Sequence, residues 1–575
     1  MIVARLLDAA AVLAAAGLGA DLVFWSGRRE HWLWRPEHLF LLLLGLVALR
    51  VLLAPRPIPA VRPRRAVLVG VAAYAVVFSF VTVTRHLTFA THALDLGYYV
   101  QLVWNLARGA GPYVSLPEMH AWGDHLSPIM YLFVPAYWLV PGPVVLLVAQ
   151  SVALALGGIA VFGLARARLG DERPAAVFAL LYLVNPSLHG INVRDFHAAA
   201  LAIPLLLAAF WAVEAGRPWL ALLPAALTLL CREDAALPVM GLGAWMAAAH
   251  RRWLAGAVAA TAALALLAVD VRWIIPAYRG EPYSHLGRYA HLGGSLPEIV
   301  ANATLHPWRT LGTLGTVGRA VYLAAMLAPL AFLPLLGGWD LLGVLPPLAQ
   351  NLLSGDPVLY GYRTQYQSFA LPFLVLAAVG GYARLAKRRP EAWPVAVLVV
   401  AMVTSLALAS RTVNNLALAR FWPAPEQRAA YQVLSRVPPG AAVSAQDPYV
   451  PHLSLRPPRL RLPGRRREER LRARESRPLS VAEPAGRDPD PGRDPRDHRG
   501  PGRRAALRGG RPGWAAPAPA APLSRRAGGH QLTSGEQPPT VRSVEQPHRV
   551  RSGEHSRTRP RPAGRGRPRT SPRRW

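Results

Sequence analysis

The sequence predicts an all-α fold, a polytopic transmembrane helical bundle of about 11–13 spans, with a large extracytoplasmic first loop and a disordered C-terminal tail. Three observations carry this reading. Hydrophobic residues make up 52% of the 575 and charged residues only 17%, with a mean hydropathy of +0.23 even though the last quarter is strongly polar. The apolar residues come in blocks of roughly 15–25, long enough to cross a hydrocarbon core ~30 Å thick. A soluble chain of this length would instead split into domains that alternate apolar and charged faces. Finally, charge or Pro/Gly bounds each block.

Taken in order, the spans fall near 4–25, 36–54, 66–84, 142–164, 175–187, 198–214, 218–231, 235–249, 253–272, 316–337, 339–353, 367–386 and 392–411. Several are short, which tilt, local thinning or a partly re-entrant course accommodates. The first block could also be read as a signal peptide, since Arg5 precedes an apolar stretch. Asp8 interrupts that stretch, and the later topology is the same either way.

Orientation follows from short loops rich in Arg and Lys, which favour the cytoplasm. The runs are Arg56, Arg62, Arg64 and Arg65; Arg166, Arg168 and Arg173; Arg251 and Arg252; and Lys387, Arg388 and Arg389. All four share one side if 126–141 (LSPIMYLFVPAYWLVP) lies at the interface. Its Pro128, Pro135 and Pro141 suit a broken, surface-lying segment. Arg28, Arg29 and Arg35 fall on the other side and oppose this arrangement.

The opposite face collects acids and histidines. These are Asp95 in LDLGYYVQLVWNLARG, Asp124 and His125 in WGDHLSP, Asp195 and His197 in NVRDFHA, and Arg232, Glu233 and Asp234 in LCREDAA. The loop 273–315 joins them, as does SGDPVLYGYRTQYQSF with Asp356, Arg363 and Tyr366. Each has a plain structural reading. Asp95 could cap an interfacial helix whose spacing is marked by Tyr98, Leu102 and Leu106. His125 and His197 could be hydrogen-bonded structural residues, and Arg232 could pair locally with Glu233 or Asp234. Three charges abutting an apolar helix are nevertheless costly unless they face protein or a water-filled cavity, which favours a functional reading. Asp8, Asp21, Glu214 and Asp270 sit near span ends, where charge is cheap, and receive no role.

Other chemistries are absent from the sequence. It has no Walker-type phosphate loop and no nucleophile elbow. The single cysteine, Cys231, excludes an intramolecular disulfide or a cysteine zinc site.

The strings LDLGYYVQLVWNLARG, HLSPIMYLFVPAYWL, VNPSLHGINVRDFHAAALAIPLLL, LCREDAAL and QDPYVPHLS resemble a bacterial family of polytopic membrane proteins designated a domain of unknown function. That family looks distantly similar to GT-C glycosyltransferases, and the resemblance covers roughly residues 70–455. It implies an enzyme that uses a polyprenyl-phosphate-linked sugar in the bacterial plasma membrane. Asp95 stands where such enzymes carry an acid in the first large extracytoplasmic loop, and 126–141 resembles the juxtamembrane helix after it.

By the same resemblance, Asp95 would act as general base. Arg232, or Arg363, would neutralise the departing phosphate, and His125, Asp195 and His197 would hold a divalent cation or orient the sugar. The implied catalytic set is Asp95, Asp195, Arg232 and Glu233. The substrate-binding set is His125, His197, Asp234, Arg363 and Tyr366, with no metal ligand assigned. Two departures weaken a two-carboxylate mechanism: Val100 stands where relatives often have a second Asp, and Ala198 stands where Pro is usual. The competing readings are a transporter or flippase of a lipid-linked or polar solute, and a non-catalytic membrane protein.

The organisation expected is an N-terminal hairpin (1–65), a GT-C-like core (66–411), the start of an extracytoplasmic C-terminal segment (412–455) and an Arg/Pro-rich tail (456–575). That tail holds 31 Arg and 11 acids, so it supplies +20 of the formal +32. The membrane part alone therefore gives no reason to expect a nucleic-acid partner. Membrane lipid is the expected surround. Composition of this kind buries too little apolar surface to order itself. Two origins fit the tail: a basic arm for anionic lipid or cell-wall polymer, or out-of-frame translation of GC-rich DNA. The break inside a family motif, just after PYVPHLSLRP, favours the second.

Overall fold

The computed structural model describes residues 2–25, 35–53, 62–389, 392–417, 421–457 and 460–461. The chain divides into two units, 1–480 and 481–575, and every described residue belongs to the first. Arg28, Arg29, Arg56 and the expected tail beyond Arg461 lie outside the described residues.

The fold is all-α, and every expected apolar block contains helix. The first twelve helices are α1 (Ile2–Ala20), α2 (Pro36–Leu53), α3 (Pro63–Leu87), α4 (Tyr98–Ala107), α5 (Val134–Leu139), α6 (Pro143–Leu169), α7 (Glu172–Leu183), α8 (Pro186–Val193), α9 (Ala202–Glu214), α10 (Leu222–Leu229), α11 (Ala236–His250) and α12 (Trp253–Val269). Proline opens α2, α3, α6 and α8, where its missing N–H is not needed and its fixed φ suits the first turn.

Among the described residues five helical stretches are long and apolar enough to cross a membrane, or seven if two bent pairs each count as one span. One bent pair is α7 with α8, turned by 40°. Asn185 caps the second half by accepting from Ser187 N–H at 2.9 Å, and Pro186 cannot continue the first.

Helix α6 is the axis of the bundle and packs against α3, α7 and α9. Over half of its membrane window (56%) is buried within the protein, against 6% for 3–24 and 11% for α2. Leu6, Leu13, Leu42 and Leu52 accordingly point outward, as lipid-facing side chains do. Helices α11 and α12 approach through Gly243 and Gly256, where a Cβ on either would collide with the other's carbonyl oxygen.

At the basic end, buried charges are matched. The Arg168 guanidinium donates to both Asp340 oxygens at 2.7 and 3.1 Å and stands 2.6 Å from Glu214. Trp245 Nε1–H donates to Asp340 at 2.9 Å, and His250 reaches Glu214 at 3.1 Å. Glu214, given no role from sequence, thus belongs to a helix-locking network. Asp8 likewise accepts from Arg50 Nε at 2.9 Å, joining α1 to α2.

The other end is less regular and holds the polar residues. After α3 the chain turns through a π-helical segment, Ala93–Gly97, into α4. The sequence suggests that α4 is an interfacial helix, but Tyr98–Val103, Asn105 and Leu106 are all buried. The apolar segment Pro128–Leu139 packs on its outside, held by Trp138 Nε1–H donating to the Ala107 carbonyl at 2.8 Å. Tyr131, Leu132, Trp138 and Leu139 of that segment stay exposed. A short hairpin, β1 (Tyr113–Ser115) with β2 (Glu118–His120), closes the loop between α4 and Pro128.

The C-terminal part returns to this end. Val450 and Leu453 pack on Ala93. Gln101 Nε2 donates to the Arg456 carbonyl at 3.1 Å, and the buried Arg456 guanidinium donates to the Leu453 carbonyl at 2.6 Å. Strand β3 (Val443–Ser444) pairs in parallel with β4 (Leu460–Arg461).

Candidate functional site

Two polar clusters lie at the irregular end, on either side of Tyr98 and Tyr99. The first forms where α3 gives way to the π-helical segment. Asp95 does not cap α4; its Oδ1 is held 3.0 Å from His197 Nε2, and Oδ2 takes no hydrogen bond among the described residues. The side chain keeps 29% exposure while His197 has 7%. Burial works to raise the Asp95 pKa, but His197, His92 and Arg194 outweigh it and hold the carboxyl below its usual range.

Asp195 sits beside Asp95 on a left-handed backbone (φ +70), a conformation Asp tolerates better than most residues. Its Oδ2 accepts from His92 N–H at 2.8 Å, whereas Oδ1 is buried with no hydrogen-bond partner among the described residues. Burial, then repulsion by Asp95, pushes its pKa up to about 6. Gln150 fixes the loop by donating to the Asp195 carbonyl and accepting from His197 N–H, both at 2.8 Å. Asp447 completes the cluster from the C-terminal segment. It lies 2.7 Å from His92 Nδ1 and accepts from Ala93 N–H at 2.8 Å. A second carboxylate therefore stands beside Asp95 although Val100 is apolar. It comes from a loop about a hundred residues away in sequence.

The second cluster forms between the loop after β2, the start of α11 and the loop 273–315. His125 Nδ1 lies 2.8 Å from Glu233 Oε1. Glu233 also accepts from Tyr283 O–H at 2.7 Å and Leu126 N–H at 3.2 Å. Burial works to lower the His125 pKa, but Glu233 and Asp124 outweigh it and raise it. Arg232 forms a bidentate pair with Asp234, both bonds at 2.5 Å, and Gln350 Nε2 donates to Asp234 at 2.6 Å. The Arg232 guanidinium lies 5.2 Å from the Phe369 ring centroid and 5.8 Å from that of Tyr366.

The clusters meet at the tyrosines. The Tyr99 ring stands edge-on to His197 at 6.3 Å, and its hydroxyl feels Arg232, Asp124 and Asp95. Tyr98 O–H donates to the Ala121 carbonyl at 3.1 Å. Arg363 has a different setting. Its Nη2 donates to Thr412 at 3.2 Å, Nη1 is buried with no hydrogen-bond partner among the described residues, and its backbone packs on Gly190 of α8. The proposed cation ligands His125, Asp195 and His197 do not share contacts. His125 belongs to the second cluster and the other two to the first.

A family model described as a predicted membrane protein, DUF2079, matches residues 85–484. The chain belongs to the DUF2079 family. The match takes in both clusters of this DUF2079 protein and runs past the composition break at 456. No curated protein matches it. Among solved structures, ArnT from Cupriavidus metallidurans bound to undecaprenyl phosphate is similar over 71% of this chain and 88% of its own, with 16% identity and a TM-score of 0.42. The Archaeoglobus fulgidus oligosaccharyltransferase in the apo form is similar over 68% and 64%, with 14% identity and a TM-score of 0.34. Archaeal AglB from the same organism, in complex with an inhibitory peptide and a dolichol-phosphate, is similar over 69% and 64%, with 11% identity and a TM-score of 0.32.

His92, Gln150, Tyr283, His285 and Asp447 were not singled out in the sequence. The signal for Asp447 is its place in QDPYVPHLS, and that for Tyr283 and His285 is the loop 273–315; His92 and Gln150 carry no local pattern.

Proposed function

We propose that this DUF2079 protein is a GT-C-type glycosyltransferase of the bacterial plasma membrane, taking sugar from a polyprenyl-phosphate-linked donor at the extracytoplasmic face. The observation that supports this reading best is the Asp95 carboxylate. One oxygen is fixed by His197, the side chain is partly open, and a second carboxylate of different acidity stands beside it. Two carboxyl groups pushed apart in pKa mark acid–base sites.

In this mechanism Asp95 Oδ2 takes the proton of the acceptor hydroxyl as that oxygen bonds to the anomeric carbon. The bond from that carbon to the phosphate oxygen breaks, and the polyprenyl phosphate leaves with the electron pair. Asp234 already neutralises Arg232, so Arg363, whose buried Nη1 has no hydrogen-bond partner among the described residues, better suits the phosphate. Arg232 then holds the wall that carries Tyr366.

The transporter reading has one observation in its favour, the buried charge at both ends of the bundle. At the basic end, though, Arg168 and Asp340 are satisfied by each other and by Trp245, and groups committed in that way leave little for a solute.

The test is transfer from radiolabelled polyprenyl-phosphate sugar by purified protein. Wild type should turn over, and Asp95→Asn should lose about 10²–10⁴-fold, the usual scale for a removed general base. Transfer at the wild-type rate by Asp95→Asn would remove the base assignment. Flux of solute into proteoliposomes without transfer would replace the enzyme by a transporter.

A further inference from the structure

The second cluster contains a group of side chains that the proposed transfer mechanism does not use. Asp124 follows the short 3₁₀ turn Ala121–Gly123, His125 is the next residue, and His285 comes from the turn Ser284–Tyr289. The two imidazole rings stack in parallel, with centroids 4.4 Å apart and planes within 6°. His285 Nε2 is 3.5 Å from Asp124 Oδ1, and it is a buried nitrogen with no hydrogen-bond partner among the described residues. One ligand atom from each of the three residues lies within 4.8 Å of the others.

The setting of His125 decides what the group is for. Its Nδ1 is taken by Glu233, which leaves Nε2 for a ligand. Glu233 is itself fully buried and fixed by Tyr283 and the Leu126 amide. A carboxylate that holds one imidazole nitrogen so that the other can ligate is the usual outer partner of a metal-binding histidine. An orphan nitrogen on a second histidine, aimed at a carboxylate too distant to bond it well, is an independent sign that a group belongs between them.

We propose that Asp124, His125 and His285 bind one divalent cation of the zinc class, with Glu233 as the positioning residue behind His125. Two imidazoles and one carboxylate select Zn²⁺ and its neighbours over Mg²⁺ or Ca²⁺, which take oxygen ligands. Zinc held at about 2.0–2.2 Å sets its ligand atoms roughly 3.3–3.5 Å apart, a spacing that His285 Nε2 and Asp124 Oδ1 already have at 3.5 Å and that the rest of the group, all within 4.8 Å, reaches by small side-chain shifts. Three protein ligands leave a fourth position for water or a substrate oxygen, as catalytic rather than structural zinc does. This proposal does not depend on sugar transfer, because its readout is bound metal.

The test uses the full chain, purified in detergent through a histidine-free tag, stripped with chelator, equilibrated with Zn²⁺ and freed of excess. Elemental analysis should find about one zinc per wild-type chain. His285→Ala and Asp124→Asn should each bind at least tenfold more weakly, and Glu233→Gln roughly 10–100-fold more weakly. Co²⁺ in place of zinc should give the visible absorption of a four-coordinate site in wild type and not in His285→Ala. If His285→Ala does not elute as wild type does, the near-isosteric Asp124→Asn is read instead. Wild type that stays metal-free with both Zn²⁺ and Co²⁺ overturns the site, as does full zinc content in the ligand variant that is read.

Discussion

Asp195 offers the sharpest quantitative test, because its charge is held at a measurable cost. Its carboxyl titrates at about 6 in the fold, against ~3.9 in an unfolded chain. A folded value above the unfolded one means that folding favours the protonated form. The associated stability is complete below about pH 4 and is lost as pH rises through about 6. At roughly 1.4 kcal/mol per pH unit, the ionised side chain costs about 3 kcal/mol by pH 8, of which about half is already present at pH 5. With 1% of the residue exposed, solvent screening takes little of this away.

Asp195→Asn removes the charge and keeps the rest. The amide oxygen still accepts from His92 N–H, and Asn accepts φ near +70 as readily as Asp. The variant should therefore unfold at a higher temperature than wild type at pH 8, with the gap shrinking by about half at pH 5 and nearly closing at pH 4. The buried Cys231, the one thiol in the chain, reports unfolding through a thiol-reactive dye, read at one fixed scan rate because membrane proteins unfold irreversibly. A gap of constant size across pH, or a variant less stable than wild type at pH 8, would refute the argument.

Two further outcomes follow. Arg232→Ala strands the Asp234 carboxylate with only Gln350 in a buried site. It should cost about 3–5 kcal/mol, and the double change with Asp234→Ala should cost less than the single one; thermal midpoints of the two proteins decide it. A chain ended at 440 loses Asp447 from His92, Val450 and Leu453 from Ala93, and the Arg456 carbonyl from Gln101. It should melt well below a chain ended at 461, and equal midpoints would mean those contacts add nothing.

Hydropathy made the bundle legible because lipid leaves the backbone few choices. A spanning segment must satisfy its own N–H and C=O groups, so a long apolar block is a helix wherever it packs. The block expected at 66–84 is α3, and that at 142–164 is α6. The block expected at 175–187 failed at its end, because the Asn185–Pro186 pair starts a second, bent helix that hydropathy cannot see. Charge runs could sort loops by side but not by neighbour. His92 meets Asp447 across 355 positions, and His125 meets Glu233 across 108.

The same constraint explains why the site is where it is. Backbone that leaves the regular α-helix survives near a membrane only where protein or water satisfies the groups it frees. The turns at 88–97, 121–127, 194–197 and 231–235 are such stretches, and they carry Asp95, His125, Asp195, His197 and Glu233. Each is tied by a hydrogen bond to another of the group or to its neighbours: Asp195 to the His92 amide, Glu233 to the Leu126 amide, Gln150 to the His197 amide. Side chains that satisfy loop backbone with one atom are held still enough to present the other. The loops so fixed carry Asp95, pinned through Oδ1 by His197, and His125, pinned through Nδ1 by Glu233, which leaves Asp95 Oδ2 and His125 Nε2 presented. An acid missing at position 100 therefore says little about the chemistry, since in a bundle of this kind carboxylates are brought together by loops that meet in space, not by loops that follow one another in sequence.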